Sequence, residues 1–113
     1  MQEQQAAGRE VSGTSRNQNV IAETADVRIV EYTLNPGDRH PWHRHSEVTD
    51  RIYCLEGLIG VGMQEPTRQF RLQPGESCEV AVGTIHHVSN PGADTARYLL
   101  VQALGKYDYI RAG

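Results

Sequence analysis

The chain has 113 residues, with 11 Lys and Arg against 14 Asp and Glu, a net charge of -3 and an isoelectric point near 5.9. That length holds one hydrophobic core and not two, and the mildly acidic balance lacks the basic footprint that nucleic acid demands, so DNA and RNA are excluded as partners. No apolar run approaches the roughly 18 residues of a membrane span, and the first residues lack the apolar core of a signal peptide; the expectation is a cytoplasmic protein with no membrane partner.

Residues 1–18 (MQEQQAAGREVSGTSRNQ) are polar and aperiodic, and are expected to form a flexible arm, ordered at most against a partner subunit. From Asn19 onward the texture changes, and residues 19–113 are assigned to one domain. Period-2 alternation predicts strands over 27–32, 51–55, 58–63, 67–72, 77–82 and 96–103. Turn chemistry separates them at Asn35-Pro36-Gly37-Asp38, Glu56-Gly57, Glu65-Pro66, Gln73-Pro74-Gly75 and Asn90-Pro91-Gly92. No stretch carries a sustained helical stripe. Short strands at this spacing predict an all-β fold, an antiparallel barrel or sandwich. Cys54 and Cys78 form no C-x-x-C arrangement and read as buried, reduced thiols.

Within this frame the histidines fall into a pattern: Gly37-x5-His43-x-His45-x4-Asp50-x6-Gly57, then Gly75 and Gly83-x2-His86-x3-Asn90. On an extended segment residues i and i+2 share a face, so His43 and His45 can grip one ion together, and His86 must be supplied by the fold. His40 and His87 read as surface or hydrogen-bonded histidines, His87 turned away from His86, and Trp42 as wall or interface.

The two segments resemble the paired motifs of the cupin superfamily, G-x5-H-x-H-x3-4-E-x6-G and G-x5-P-x-G-x2-H-x3-N, in the right order and at the right spacing. The resemblance is to small single-domain bacterial members. It implies a jelly-roll barrel (double-stranded β-helix), a metal ion in the barrel mouth held by His43, His45, Asp50 and His86, and a homodimer. The ending Gly105-Lys106-Tyr107-Asp108-Tyr109 is also similar to that of small stand-alone cupins, and the sequence assigns it no role.

Two positions depart from the motif. Ala81 replaces a proline, which loosens a turn still held by Gly83. Asp50 replaces the usual glutamate and is shorter by one methylene, roughly 1.5 Å of reach. Strand parity also places Asp50, five residues beyond His45, on the opposite face unless a bend or bulge intervenes. Glu47 keeps the parity, whereas the spacing to Tyr53 and Gly57 favours Asp50; a third arrangement leaves three histidines with water completing the shell. If Asp50, Ile52 and Cys54 point inward, Ile52 and Cys54 form an apolar pocket floor with Val88 as neighbour.

Imidazoles with one carboxylate suit one divalent transition metal ion among Fe, Mn, Ni, Zn and Cu. The leading expectation is a metal-dependent, dioxygenase-type oxidoreductase acting on a small chelating metabolite, with Glu47 as the candidate acid or base. The alternatives are a redox-inert lyase or isomerase on sugar-acid-like compounds, and a non-catalytic cupin that binds or senses a small ligand.

Overall fold

Alternation in the sequence becomes alternation of burial. In a computed structural model that describes residues 17–112, every second side chain of Val27–Leu34 is buried, and the same holds along Ala96–Ala103. Ten strands are described: β1 (Gln18–Glu23), β2 (Val27–Leu34), β3 (His43–Arg44), β4 (Thr49–Glu56), β5 (Ile59–Met63), β6 (Arg68–Leu72), β7 (Ser77–Val80), β8 (His86–Ser89), β9 (Ala96–Ala103) and β10 (Ile110–Arg111). They pair antiparallel in two five-stranded sheets, ordered β1-β2-β9-β4-β7 and β10-β3-β8-β5-β6. This is the expected all-β jelly-roll. Residues 1–16 of the expected arm lie outside the described residues, while Gln18 opens β1 and accepts a hydrogen bond from the Tyr32 hydroxyl.

The core lies between the inner faces of the two sheets. Val30, Leu34, Ile52, Val80, Ala96 and Tyr98 come from the first sheet, and Ile59, Val61, Met63, Leu72 and Val88 from the second. Cys54 is buried in this core, Cys78 packs half-buried against it, and both are free thiols whose pKa burial raises.

The first motif ends in a close approach. Gly57 has φ +75°, and a Cβ there would stand 2.8 Å from the Thr95 carbonyl oxygen and 2.9 Å from Ala96 Cβ, so glycine is required on both counts. The second motif ends in Asn90, whose buried amide donates to the Leu34 (3.0 Å) and Asp94 (2.8 Å) carbonyls and accepts the Gly92 N–H (2.9 Å), tying the end of β2 to the loop before β9. Without its proline, the turn at Ala81 still closes, through a 3.1 Å bond from Thr84 N–H to the Ala81 carbonyl and Gly83 at φ +80°.

Four described strands escaped the sequence reading. β3 and β8 carry histidines in place of apolar residues, β1 is an edge strand exposed along most of its length, and β10 is two residues long.

Candidate metal centre

Register places the histidines. β3 pairs with β8 so that His43 and His86 are direct cross-strand partners, and His45 follows just past β3. The parity conflict at Asp50 disappears because no continuous strand joins it to His45. The chain leaves the second sheet after Arg44, bends through residues 45–48, and enters the first sheet as β4 at Thr49. The side-chain phase restarts there, and Asp50 begins the inward series Asp50, Ile52, Cys54.

His43, His45, Asp50 and His86 are all buried, and one donor atom from each lies within 4.8 Å of the others. Asp50 Oδ2 is 2.9 Å from His86 Nε2 and 3.2 Å from His45 Nε2. Each ring is fixed from behind. The Nδ1–H of His43 donates to the Pro41 carbonyl (2.7 Å), that of His86 to the Thr84 carbonyl (2.8 Å) and that of His45 to the Asp108 carbonyl (2.5 Å). A carbonyl only accepts, so Nδ1 holds the proton and Nε2 is directed inward in all three, the arrangement in which imidazoles ligate a metal.

Asp50 is fixed just as closely. Its Oδ1 accepts a 3.0 Å bond from Gln102 Nε2, and the Gln102 amide is oriented by Arg28, whose Nη1 donates to Gln102 Oε1 at 3.1 Å. Oδ2 alone is left to face the histidines. Neighbouring cross-strand pairs, Arg28 with Gln102 and Gln102 with Asp50, set this chain of contacts.

The electrostatics follow. Burial, then the neighbouring His86, lower the His43 pKa to about 3, so this ring is neutral at any physiological pH. For His45 burial also opposes the charged form, but the hydrogen bond and charge of Asp50, with Asp108 behind, outweigh it and raise its pKa. Burial likewise works against ionised Asp50, and the bonds and charges of His45 and His86 win, holding the carboxyl below the usual carboxylate range. An anion with a neutral Nε2 beside it and a dislodgeable proton on another is a donor set that a divalent cation satisfies.

A cavity of about 20 Å3, wide enough for roughly one water molecule, adjoins the cluster. Tyr32, His40, Val88, Tyr98, Leu100 and Gln102 line it, together with Tyr107 and Tyr109 from the C-terminal segment. The C-terminal segment with these tyrosines is strapped across the mouth. Lys106 N–H donates to Glu47 Oε1 (3.1 Å), the Asp108 carboxylate accepts from Ser46 N–H (2.8 Å) and the Ser46 hydroxyl, and β10 pairs with β3. Tyr109 stacks on His43 with ring centroids 4.3 Å apart.

Val88 therefore lines the cavity, whereas Ile52 and Cys54 face inward but belong to the packed core and do not line it. Glu47 is exposed, away from the cavity, with its carboxylate engaged by Lys106. His87 stacks on Trp42 at 4.0 Å on the other face of β8. His40, read as a surface or hydrogen-bonded histidine, is not at the surface: it is a buried part of the cavity wall, edge-on to Tyr32 and Tyr98. Gln102 and Arg28 were missed as well. Gln102 was legible as a polar residue in the inward phase of Ala96, Tyr98 and Leu100; Arg28 required the pairing of β2 with β9.

Comparison with known proteins agrees with this architecture. The pattern of the Cupin domain family matches residues 30–102. The rhicadhesin receptor of Pisum sativum is 29% identical over 76 residues, 65% of this chain; the chain spans 35% of that protein's length. Among solved structures, an uncharacterised conserved protein with a double-stranded beta-helix domain from Klebsiella pneumoniae superposes with a TM-score of 0.77 at 21% identity, covering 95% of this chain and 91% of that one. Protein TT1209 of Thermus thermophilus gives 0.71 at 27% identity (78% and 82% covered). Oxalate decarboxylase of Lactobacillus farciminis gives 0.73 at 20% identity, covering 83% of this chain and 30% of that one.

Proposed function

The chain belongs to the cupin family, and on that premise we propose that it binds one divalent transition metal ion through His43, His45, Asp50 and His86 and acts as a dioxygenase-type enzyme on a small chelating metabolite. The observation that carries the reading is the set of three Nδ1–H bonds to backbone carbonyls, which commits three inward Nε2 atoms to one point beside a carboxylate. An ion held there would supply a place where a chelating, oxygen-rich molecule is polarised and, if the ion is redox-active, where O2 is activated.

The protein's own residues favour oxygenase over proton-transfer chemistry. Tyr98 and Tyr107 line the cavity, and burial raises the pKa of both, Tyr107 to about 12. Such hydroxyls stay protonated, so they orient a ligand by hydrogen bonding and serve poorly as bases. Asp50 is the only carboxylate lining the cavity among the described residues, and it is committed to the histidines. Val88 and Leu100 supply the aliphatic part of the wall. A lyase or isomerase would draw on His40 for its base.

The small size of the cavity gives a second reading its support: a cupin that retains an ion and a small ligand without turning it over. Anaerobic reconstitution with Fe(II), followed by O2 electrode measurements across chelating enols, diols and hydroxy acids, separates the two. Substrate-dependent O2 uptake is the expected result; full metal occupancy with no uptake on any of them would move the assignment to the binding protein. The proposal extends to a homodimer formed through edge strand β1, where Val20 and Ile21 are exposed. Light scattering of Val20→Lys/Ile21→Lys should report a monomer where the native chain reports a dimer.

A further inference from the structure

A second cavity of about 230 Å3 lies beside the metal chamber. Gln102 and Tyr107 line both, so these two side chains are the partition between them. Volume alone makes it the larger of the two spaces, of a size for a small organic molecule. Its wall is chemically divided. Ala25, Val27 and Val48 supply an apolar side, and Arg28 and Lys106 supply two positive charges against the single carboxylate of Glu23.

Arg28 is the unusual member. Its side chain is only 10% exposed, its Nη1 is spent on Gln102, and its guanidinium carbon sits 4.5 Å over the Tyr107 ring. The carboxylate beside it, that of Glu23, is 3.8 Å from Nε, beyond hydrogen-bond length, on a side chain that is 53% exposed. A guanidinium taken out of water with so loose a counter-charge carries a desolvation cost that an anion in the cavity would offset. Lys106 forms no ion pair among the described residues; only its backbone N–H is used, by Glu47. The fork geometry of Arg and the point charge of Lys together suit a carboxylate.

We propose that this cavity binds a short-chain monocarboxylate, with the carboxylate between Arg28 and Lys106 and the alkyl body against Ala25, Val27 and Val48. The inference goes beyond the metal-dependent activity and does not depend on it, since none of the four metal-cluster residues lines this space.

Butyrate is the probe and butyramide its uncharged control, titrated calorimetrically into the full-length protein. Butyrate should bind saturably at one per chain, at least about tenfold more tightly than butyramide, and Lys106→Glu should weaken it by at least about tenfold. His86→Ala, or chelator-treated native protein should that variant misfold, should bind butyrate as the native chain does. Equal affinity for the acid and the amide, an unchanged affinity in a folded Lys106→Glu, or the absence of saturation by about 20 mM would overturn the proposal. Loss of butyrate binding on metal removal would overturn it too, by placing the anion on the metal. Metal content, measured separately on the same samples, keeps this result distinct from the fate of the metal assignment.

Discussion

The same strands build two different interiors at their two ends. At the floor of the barrel, inward positions of β2, β9 and β4 stack as Val30, Leu100 and Ile52, then Tyr32, Tyr98 and Cys54, then Leu34 and Ala96. At the mouth the same register brings together Arg28, Gln102 and Asp50, and β8 likewise passes from Val88 to His86. The two ends do not differ in exposure. Asp50, His86 and Gln102 are 2%, 1% and 1% exposed, against 0% for Ile52 and Leu34. They differ in what burial does. Apolar rows stabilise the fold by leaving water; a polar row costs desolvation unless every donor and acceptor is matched. The floor makes the barrel, and the mouth is carried by it.

The comparison breaks most visibly if the rows are exchanged by mutation. Ile52→Ala should destabilise the protein by about 2–5 kcal/mol in chemical denaturation while leaving metal stoichiometry intact in the folded fraction. Gln102→Leu should lower both stability and metal affinity, because it leaves the buried Asp50 Oδ1 and Arg28 Nη1 without their partner. Removing the bond that holds Asp50 Oδ1 should lower metal affinity by about 10–100-fold, measured by competition with a chelator, because Asp50 is then free to turn its other oxygen inward.

The pH dependence sharpens the contrast within the mouth. His45 has a raised pKa, so metal entry must expel a proton, and metal affinity should climb with pH by up to about tenfold per unit until that value is passed. His43, already neutral above about pH 3, should contribute nothing to this slope. In metal-free protein the His45 contribution to stability is complete below its ordinary value of 6.5 and is lost as pH rises through the raised one. The Asp50 contribution is complete above 3.8 and is lost as pH falls through its lowered value. His43 runs the other way, since it stays neutral in the folded chain down to about pH 3 and costs stability as pH falls below 6.5, so thermal melts of metal-free protein should peak towards the upper end of the window between these two limits, with the optimum moving to higher pH when metal is added. The smallest effect is expected at the strap: Tyr109→Ala removes the ring stacked on His43 and should cost about 1 kcal/mol or less, with faster loss of metal to an added chelator.

What the sequence disclosed follows the same division. Strands whose inner face is apolar, such as β2 and β9, announce themselves by alternation. β3 and β8 do not, because histidines and their neighbours occupy the positions where alternation would show. The parity argument that set Glu47 against Asp50 assumed one strand from His45 onward; the chain instead changes sheets between them, an event invisible to local periodicity. Ile52 and Cys54 have the inward phase expected of them, yet the cavity runs past β2 and β9 and leaves them in the core. Tyr107 and Tyr109 stand at the mouth through contacts with Ser46 and Glu47, some sixty positions earlier in the chain, and no short-range pattern encodes that.

The claim on which the rest depends is that the buried polar row is a metal centre, and elemental analysis by plasma mass spectrometry tests it most directly. The protein should be purified without an affinity tag or chelator, reconstituted, and measured beside His86→Ala and Asp50→Ala. Near one transition metal ion per chain is expected in the native protein, with a marked loss in both variants. Equal metal content in the native chain and in folded His86→Ala, or none in either after reconstitution, would contradict it.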